Sequence, residues 1–400
     1  MQPASNRRIT PFLIAWCISL VLMESLGAGF AYNRSYASFD FRSFYSAGYQ
    51  IRTHPSQLYD LRQEKLVQDG VTPDEEGVLP YYHLPYEAII YAPFSFLSYR
   101  TAYLAFIAFN MLLLMAAFFA ARPVFSSIIP WWQPRPGLML FLFIPMMIAV
   151  TQGQDSILLL LLCCLAWKQM ESGKDASAGC LLALALFKFH IAVPVAILMA
   201  IRRGWRFSSG FLLTAVAVGL SCLAIVGRTG AASLIRLLTN TTSVAEKNGS
   251  ALHGVGINPL AMTNLAGFLY ACGTRFLSSH LAFVIVAACS LGLFIWCARL
   301  VRLSQQNVAF SIAVLCGLLV SYHLYIHDVT LALLPAALLG GRPQKYLLLP
   351  LFALPVFLLH MGSGWFFLLA LPLGAMLAYA AVSTGNKAAA SPEMIAAAPV

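Results

Sequence analysis

Asp40, in the run SFDFRSFYSAGYQ, is the first carboxylate after a long apolar stretch, and it could take a proton from a hydroxyl group. It could equally cap the helix that its neighbours predict, accepting backbone N–H bonds from the next turn. Lys188, in ALFKFHIAVP, stands in the middle of apolar sequence with His190 two residues on. An ionisable group in such a setting is costly and points to function. A compact ammonium suits a phosphate, and snorkelling to an interface is the plainer role. Gln152, Gln154 and Asp155, in VTQGQDSILLLLL, could hydrogen-bond a sugar or phosphate, or form a polar turn that caps the next helix. In VSYHLYIHDVTLALLP, His323 and His327 are four apart and would share one helix face, with Asp328 following. The HxxxH pair lacks the glutamate of HExxH and a third ligand, and two ligands do not make a metal site. Tyr81, Tyr82, His83, Tyr86 and Tyr91 crowd a segment broken by Pro80, Pro85 and Pro93. They read as an interfacial aromatic belt or as a platform for a sugar or lipid headgroup. His253 and Asn258, in HGVGINPLAM, mark another irregular start of a membrane segment.

The elements that must position these groups are membrane helices. Of 400 residues, 60% are hydrophobic and only 10% charged, against about 25% in soluble domains. Mean hydropathy is +0.77. The fold expected is all-α and polytopic. Full-length apolar runs lie at 11–31, 101–121, 208–227, 280–300, 307–323 and 364–382. Shorter runs lie at 137–151, 155–168, 176–187, 190–201, 328–340 and 345–360. The pair 176–187 and 190–201 predicts a shallow hairpin with Lys188 near its turn. Broken helices are tolerated at membrane depth only where protein or a water-filled cavity covers them, so the short runs predict an internal polar cavity. Arginines and lysines of the short loops segregate to one side when the N-terminus is cytoplasmic, giving about twelve passes with both termini inside. The net charge of +10 therefore serves orientation and lipid contact rather than nucleic acid. Residues 1–387 read as a single transmembrane domain with outer loops at about 33–85 and 228–257, and 388–400 as a disordered cytoplasmic tail. The chain has no CxxC and no P-loop.

In that topology Asp40, Gln152, Gln154, Lys188, His190, His253, His323, His327 and Asp328 all fall at or near outer helix ends. DFRSFYSAG, then Leu58 and Tyr59, YEAIIYAPFSFLS, QGQDSILLLLLCCLAW, ALALFKFHIAVP followed by RRGW, and SYHLYIHD resemble glycosyltransferase family 87 in order and spacing. These are GT-C type membrane transferases related to polyprenyl-phosphate-mannose-dependent mannosyltransferases. The resemblance implies inverting transfer of a mannose-like sugar from a polyprenyl-phosphate donor to a lipid-linked or glycan acceptor. It places the reaction at the outer face of the cell's inner (plasma) membrane. Asp40 matches the family's catalytic aspartate. Lys188 matches a common lysine, which the family more often follows with proline where Phe189 and His190 stand here. Lys188, the histidines and Arg42 would offset charge developing on the departing phosphate. His190, Gln152, Gln154, His323, His327 and Asp328 would complete the donor site. Tyr45, Tyr82, His83, His253 and Asn258 would form the acceptor platform. No cofactor is expected; a divalent metal is compatible with the chemistry, but no ligand set for one is evident in the sequence. A secondary transporter or flippase would share the broken helices and intramembrane charge.

Overall fold

A computed structural model of the chain describes residues 9–33, 39–73, 77–128, 143–244, 258–340 and 344–390. Among the described residues the structure is helical, with no strand. Four helices are long and apolar enough to cross a membrane: Tyr99–Ala120, Trp205–Thr239, Ser279–Leu303 and Ser363–Thr384. Two bent pairs raise the number to six if each is one span. The other apolar helices, among them Cys17–Tyr32 and Gln306–Val320, are shorter. A helix of 15 residues rises about 22 Å, less than the roughly 30 Å of a bilayer's hydrocarbon core. Length and apolarity therefore carry four to six of the twelve expected passes.

Burial sorts the helices into an outer ring and a centre. Only 6% of the apolar window of Ser279–Leu303 is buried, and 22% of that of Trp205–Thr239. Leu213 and Phe283 stand outward on these helices, as lipid-facing side chains do. Gln306–Val320 is the opposite case. Every residue from Ala309 to Leu319 is buried, as an all-round apolar helix must be when other helices surround it. It packs on Phe189–Arg203, Ser279–Leu303 and Ala370–Ala390. The last of these runs through the start of the expected tail, and residues 391–400 lie outside the described residues.

The segment expected as the first outer loop folds into two amphipathic helices, Phe41–Thr53 and Leu61–Val71. Asp60 caps the second by accepting from the N–H groups of Arg62 and Gln63. Phe41 anchors the first. It is fully buried against Phe106, Tyr99 and Tyr103, with ring centroids 5.2, 5.7 and 5.8 Å away. That aromatic contact fixes the start of the helix, and Asp40 with it, on the membrane helix Tyr99–Ala120. Arg228–Val244, expected as the start of the second outer loop, continues the helix Trp205–Val244 beyond a kink at Gly227.

Three breaks in the apolar helices matter most. Ile144–Thr151 and Ser156–Glu171 meet at 119°, so the chain folds back on itself at the Gln152–Asp155 turn. Asp175–Ala183 and Leu186–Arg203 meet at 61°. That is a bend and not the expected hairpin, and Lys188 lies at the 3₁₀ turn within it. The third break follows Val320, where residues 321–325 leave the helix before the 3₁₀ segment Ile326–Ala332. His323 and His327 therefore do not share a turn of α-helix. Backbone groups freed at this break find partners: Asn264 Nδ2 donates to the Ser321 carbonyl, and Thr263 N–H to that of Leu324 at 2.9 Å.

Candidate active site

The three breaks and the start of Phe41–Thr53 enclose a cavity of about 200 Å³. Asp40, Phe44, Tyr82, His83, Gln154, Lys188, His190, Tyr322, His323, Tyr325, His327 and Asp328 are among its lining residues. Of the polar residues expected to converge, Asp40, Gln154, Lys188, His190, His323, His327 and Asp328 line this cavity, Gln152 does not, and His253 lies outside the described residues.

Asp40 occupies the N-cap position of Phe41–Thr53, yet its carboxylate makes no capping hydrogen bond. It is half-buried and accepts instead from Gln154 Nε2 across the cavity edge. Among the described residues it has no ion pair. The Gln152–Asp155 turn that aims Gln154 is tightly specified. Gly153 adopts φ +71°, and a Cβ there would also lie 2.6 Å from that of Phe41. The Gln152 carbonyl accepts the Phe41 N–H at 2.9 Å, the Gln154 carbonyl accepts Asn110 Nδ2 at 3.2 Å, and Tyr103 OH donates to the Thr151 carbonyl at 2.7 Å. Aspartate and glutamine are thus held by one backbone arrangement.

Behind the cavity floor lies a charge cluster. Lys188, 3% exposed, places its ammonium 2.8 Å from Asp155 Oδ1 and in contact with Asp328 Oδ1. Ser156 Oγ accepts from Lys188 at 3.2 Å and donates to Asp328 at 2.9 Å. Asp155 is the N-cap of Ser156–Glu171 but, like Asp40, does not cap it. Its other oxygen lies 3.1 Å from His83 Nδ1, which is also 2.8 Å from Glu87 Oε2. Burial alone would keep His83 neutral, but the Glu87 and Asp155 carboxylates outweigh it and bring its pKa from 6.5 to about 10. The same burial raises the Glu87 carboxyl to about 8, with His83 pulling the other way.

The opposite wall is imidazole and phenol. The His190 and His323 rings stack at 6.0 Å and 18°. His190 Nδ1 shares a 2.8 Å hydrogen bond with Ser321 Oγ, and Ser321 donates to the His323 carbonyl at 2.7 Å. Tyr325 stands edge-on to His323 at 4.6 Å. His327 Nε2 lies 3.5 Å from Asp328 Oδ2, which ties this wall to the lysine cluster.

Four expected site residues lie away from the cavity. Arg42 is 3% exposed, donates to Thr72 Oγ1 at 3.4 Å and stands beside buried Glu64. Tyr45 packs on Tyr99 and donates to the Leu97 carbonyl at 2.8 Å. Gln152 contributes its carbonyl to the Phe41 anchor. Asn258 caps the turn Pro259–Ala261, accepting from Leu260 N–H at 3.1 Å. His253 lies outside the described residues. Sequence reasoning misses Glu87 and Ser156. The four-residue spacing from His83 is the signal that finds Glu87; Ser156 has none beyond its place after Asp155.

Fold and site define a helical membrane protein built around a polar cavity at broken helix ends. The chain belongs to glycosyltransferase family 87, which matches residues 81–324, more than half its length. It is therefore a membrane glycosyltransferase, and the transporter alternative gives way. Asp40, His327 and Asp328 lie outside the matched stretch but line the same cavity as residues within it. No curated protein and no solved structure matches the chain.

Proposed function

We propose that the protein transfers a mannose-like sugar, with inversion, from a polyprenyl-phosphate donor to a lipid-linked or glycan acceptor. The observation that carries this reading is Asp40: a carboxylate on the cavity that is spent neither on capping nor on an ion pair among the described residues. It takes the proton of the acceptor hydroxyl as that oxygen attacks the anomeric carbon from the face opposite the phosphate. The bond from the anomeric carbon to the phosphate oxygen breaks, and polyprenyl phosphate leaves. Gln154 holds the carboxylate in place. The charge on Lys188 is already offset by Asp155 and Asp328, so His190, His323 and His327 are the better partners for the leaving phosphate, with Lys188 positioning Asp328 and through it His327. Tyr82, Phe44 and Tyr325 offer the sugar and acceptor an aromatic surface. A donor lodged in the bilayer accounts for a cavity among membrane helices.

The reading is tested with purified protein in lipid and a panel of polyprenyl-phosphate sugars that includes mannose. One donor should be consumed, with polyprenyl phosphate released. Consumption of a nucleotide sugar and none of the lipid donors would overturn it.

The topology belongs to the same proposal: a GT-C-like arrangement of about twelve passes in the plasma membrane, termini cytoplasmic and cavity outside. The segregated basic residues support it. Ser56 is exposed between the two outer helices. Ser56→Cys, in a background with the exposed Cys17, Cys272 and Cys289 changed to serine, should react with an impermeant thiol reagent on intact cells. Labelling only after permeabilisation would invert the topology.

A further inference from the structure

His83 Nδ1 stands against the carboxylates of both Glu87 and Asp155, and a single N–H cannot serve two acceptors with good geometry. One ligand atom from each lies within 4.8 Å of the other two. His83 Nδ1 is close to both carboxylates, yet His83 Nδ1, Glu87 Oε1 and both Asp155 oxygens make no hydrogen bond of acceptable geometry. Glu87 is fully buried and Asp155 2% exposed. Asp155 has Lys188 as a partner, but Glu87 has only His83 among the basic groups described, and a metal ion accepts ligand directions that one imidazole N–H cannot serve together.

A bound divalent cation would take the place of the protons that His83 and Glu87 otherwise hold: neutral His83 with the Glu87 and Asp155 carboxylates would balance its two charges, and Lys188 would balance Asp328. We propose that His83, Glu87 and Asp155 bind a single divalent cation, zinc or manganese by the chemistry of one imidazole and two carboxylates. Ligands around a tetrahedral zinc stand about 3.4 Å apart. The present gaps of 2.8 and 3.1 Å would have to open by about 0.3–0.6 Å. His83 sits in non-helical chain ahead of Pro85; Tyr59 OH holds its carbonyl and Phe44 and Tyr81 pack on its ring, so the shift is one of the side chain. Asp155 reaches the ion with Oδ2 and keeps Oδ1 for Lys188. Of the three ligands only His83 lines the cavity, so the ion would stand in its wall. There it would tie the outer segment to the Gln152–Asp155 turn. The site is separate from the HxxxH pair and does not depend on the transfer reaction.

A proton on His83 is the competing occupant, and metal retention separates the two. Tag-free protein in lipid nanodiscs is stripped with chelator, loaded with Zn²⁺ or Mn²⁺ and desalted. About one equivalent should remain. Glu87→Gln and His83→Asn should each weaken retention at least about 10-fold, and His323→Asn should leave it unchanged. Electron spin-echo spectra of the Mn²⁺-loaded wild type should show coupling to an imidazole nitrogen. No retained metal, equal retention by Glu87→Gln, or loss in His323→Asn would overturn the site. If a substitution fails to fold, the wild-type spectrum decides, because a bound ion without imidazole coupling also overturns it.

Discussion

Asp40→Asn should insert, fold and bind donor like the wild type, while turnover falls at least about 10²-fold. Asparagine keeps the size of the side chain and can still meet the Gln154 amide. Nothing is lost at the helix start, because Asp40 makes no cap bond there. What disappears is the ability to receive a proton. The neighbouring carboxylates are poor substitutes: Asp155 and Asp328 are buried and paired with Lys188, so protonating either would also unbalance the cluster. The measurement is single-turnover transfer at saturating donor, with donor binding followed separately. Near-normal turnover in Asp40→Asn would remove Asp40 from the chemistry.

Lys188→Met should destabilise the protein by about 3–5 kcal/mol, the cost of breaking a buried ion pair from one side. Methionine fills much of the lysine's volume, so the loss is electrostatic: two buried carboxylates are left without their cation. Adding Asp155→Asn and Asp328→Asn removes the stranded charges and should recover most of the thermal stability in detergent. A single Lys188→Met variant as stable as the wild type would show that the lysine does not hold both aspartates. If the stable triple variant binds donor normally, the ammonium does not touch the phosphate.

Apolar runs place the membrane helices in sequence because a bilayer imposes a length and a composition on every span. The clustering of polar residues at helix breaks is legible for the same reason, since irregular backbone at membrane depth has to line something polar. Partner choice is not legible. Lys188 finds Asp328 across 140 residues, a pairing set by how helices stack. Local spacing misleads in two places. Arg42 is two residues from Asp40, and positions two apart on a helix point in different directions, so Arg42 turns towards Thr72 and Glu64. The four-residue spacing of His323 and His327 implies a common helix face only where a helix exists, and the chain is irregular at 321–325. Both histidines still reach the cavity, by a route the periodicity does not describe. Asp40 and Asp155 are good capping residues by type that do not cap, because Gln154 meets the first carboxylate and Lys188 and His83 the second.

The lysine cluster also sets a schedule on the ribosome. Asp155 precedes Lys188 in the chain, whereas Asp328 follows it by 140 residues. At about 5–20 residues per second, the lysine is made roughly 7–28 s before its second carboxylate. During that interval Asp155 can already neutralise it, so the nascent pair can leave the translocon for lipid without a bare ammonium. Asp328 then arrives at a neutral pair and makes it anionic. The second carboxylate of the lysine cluster is therefore delivered late, after most of the helices packed on its segment have been made.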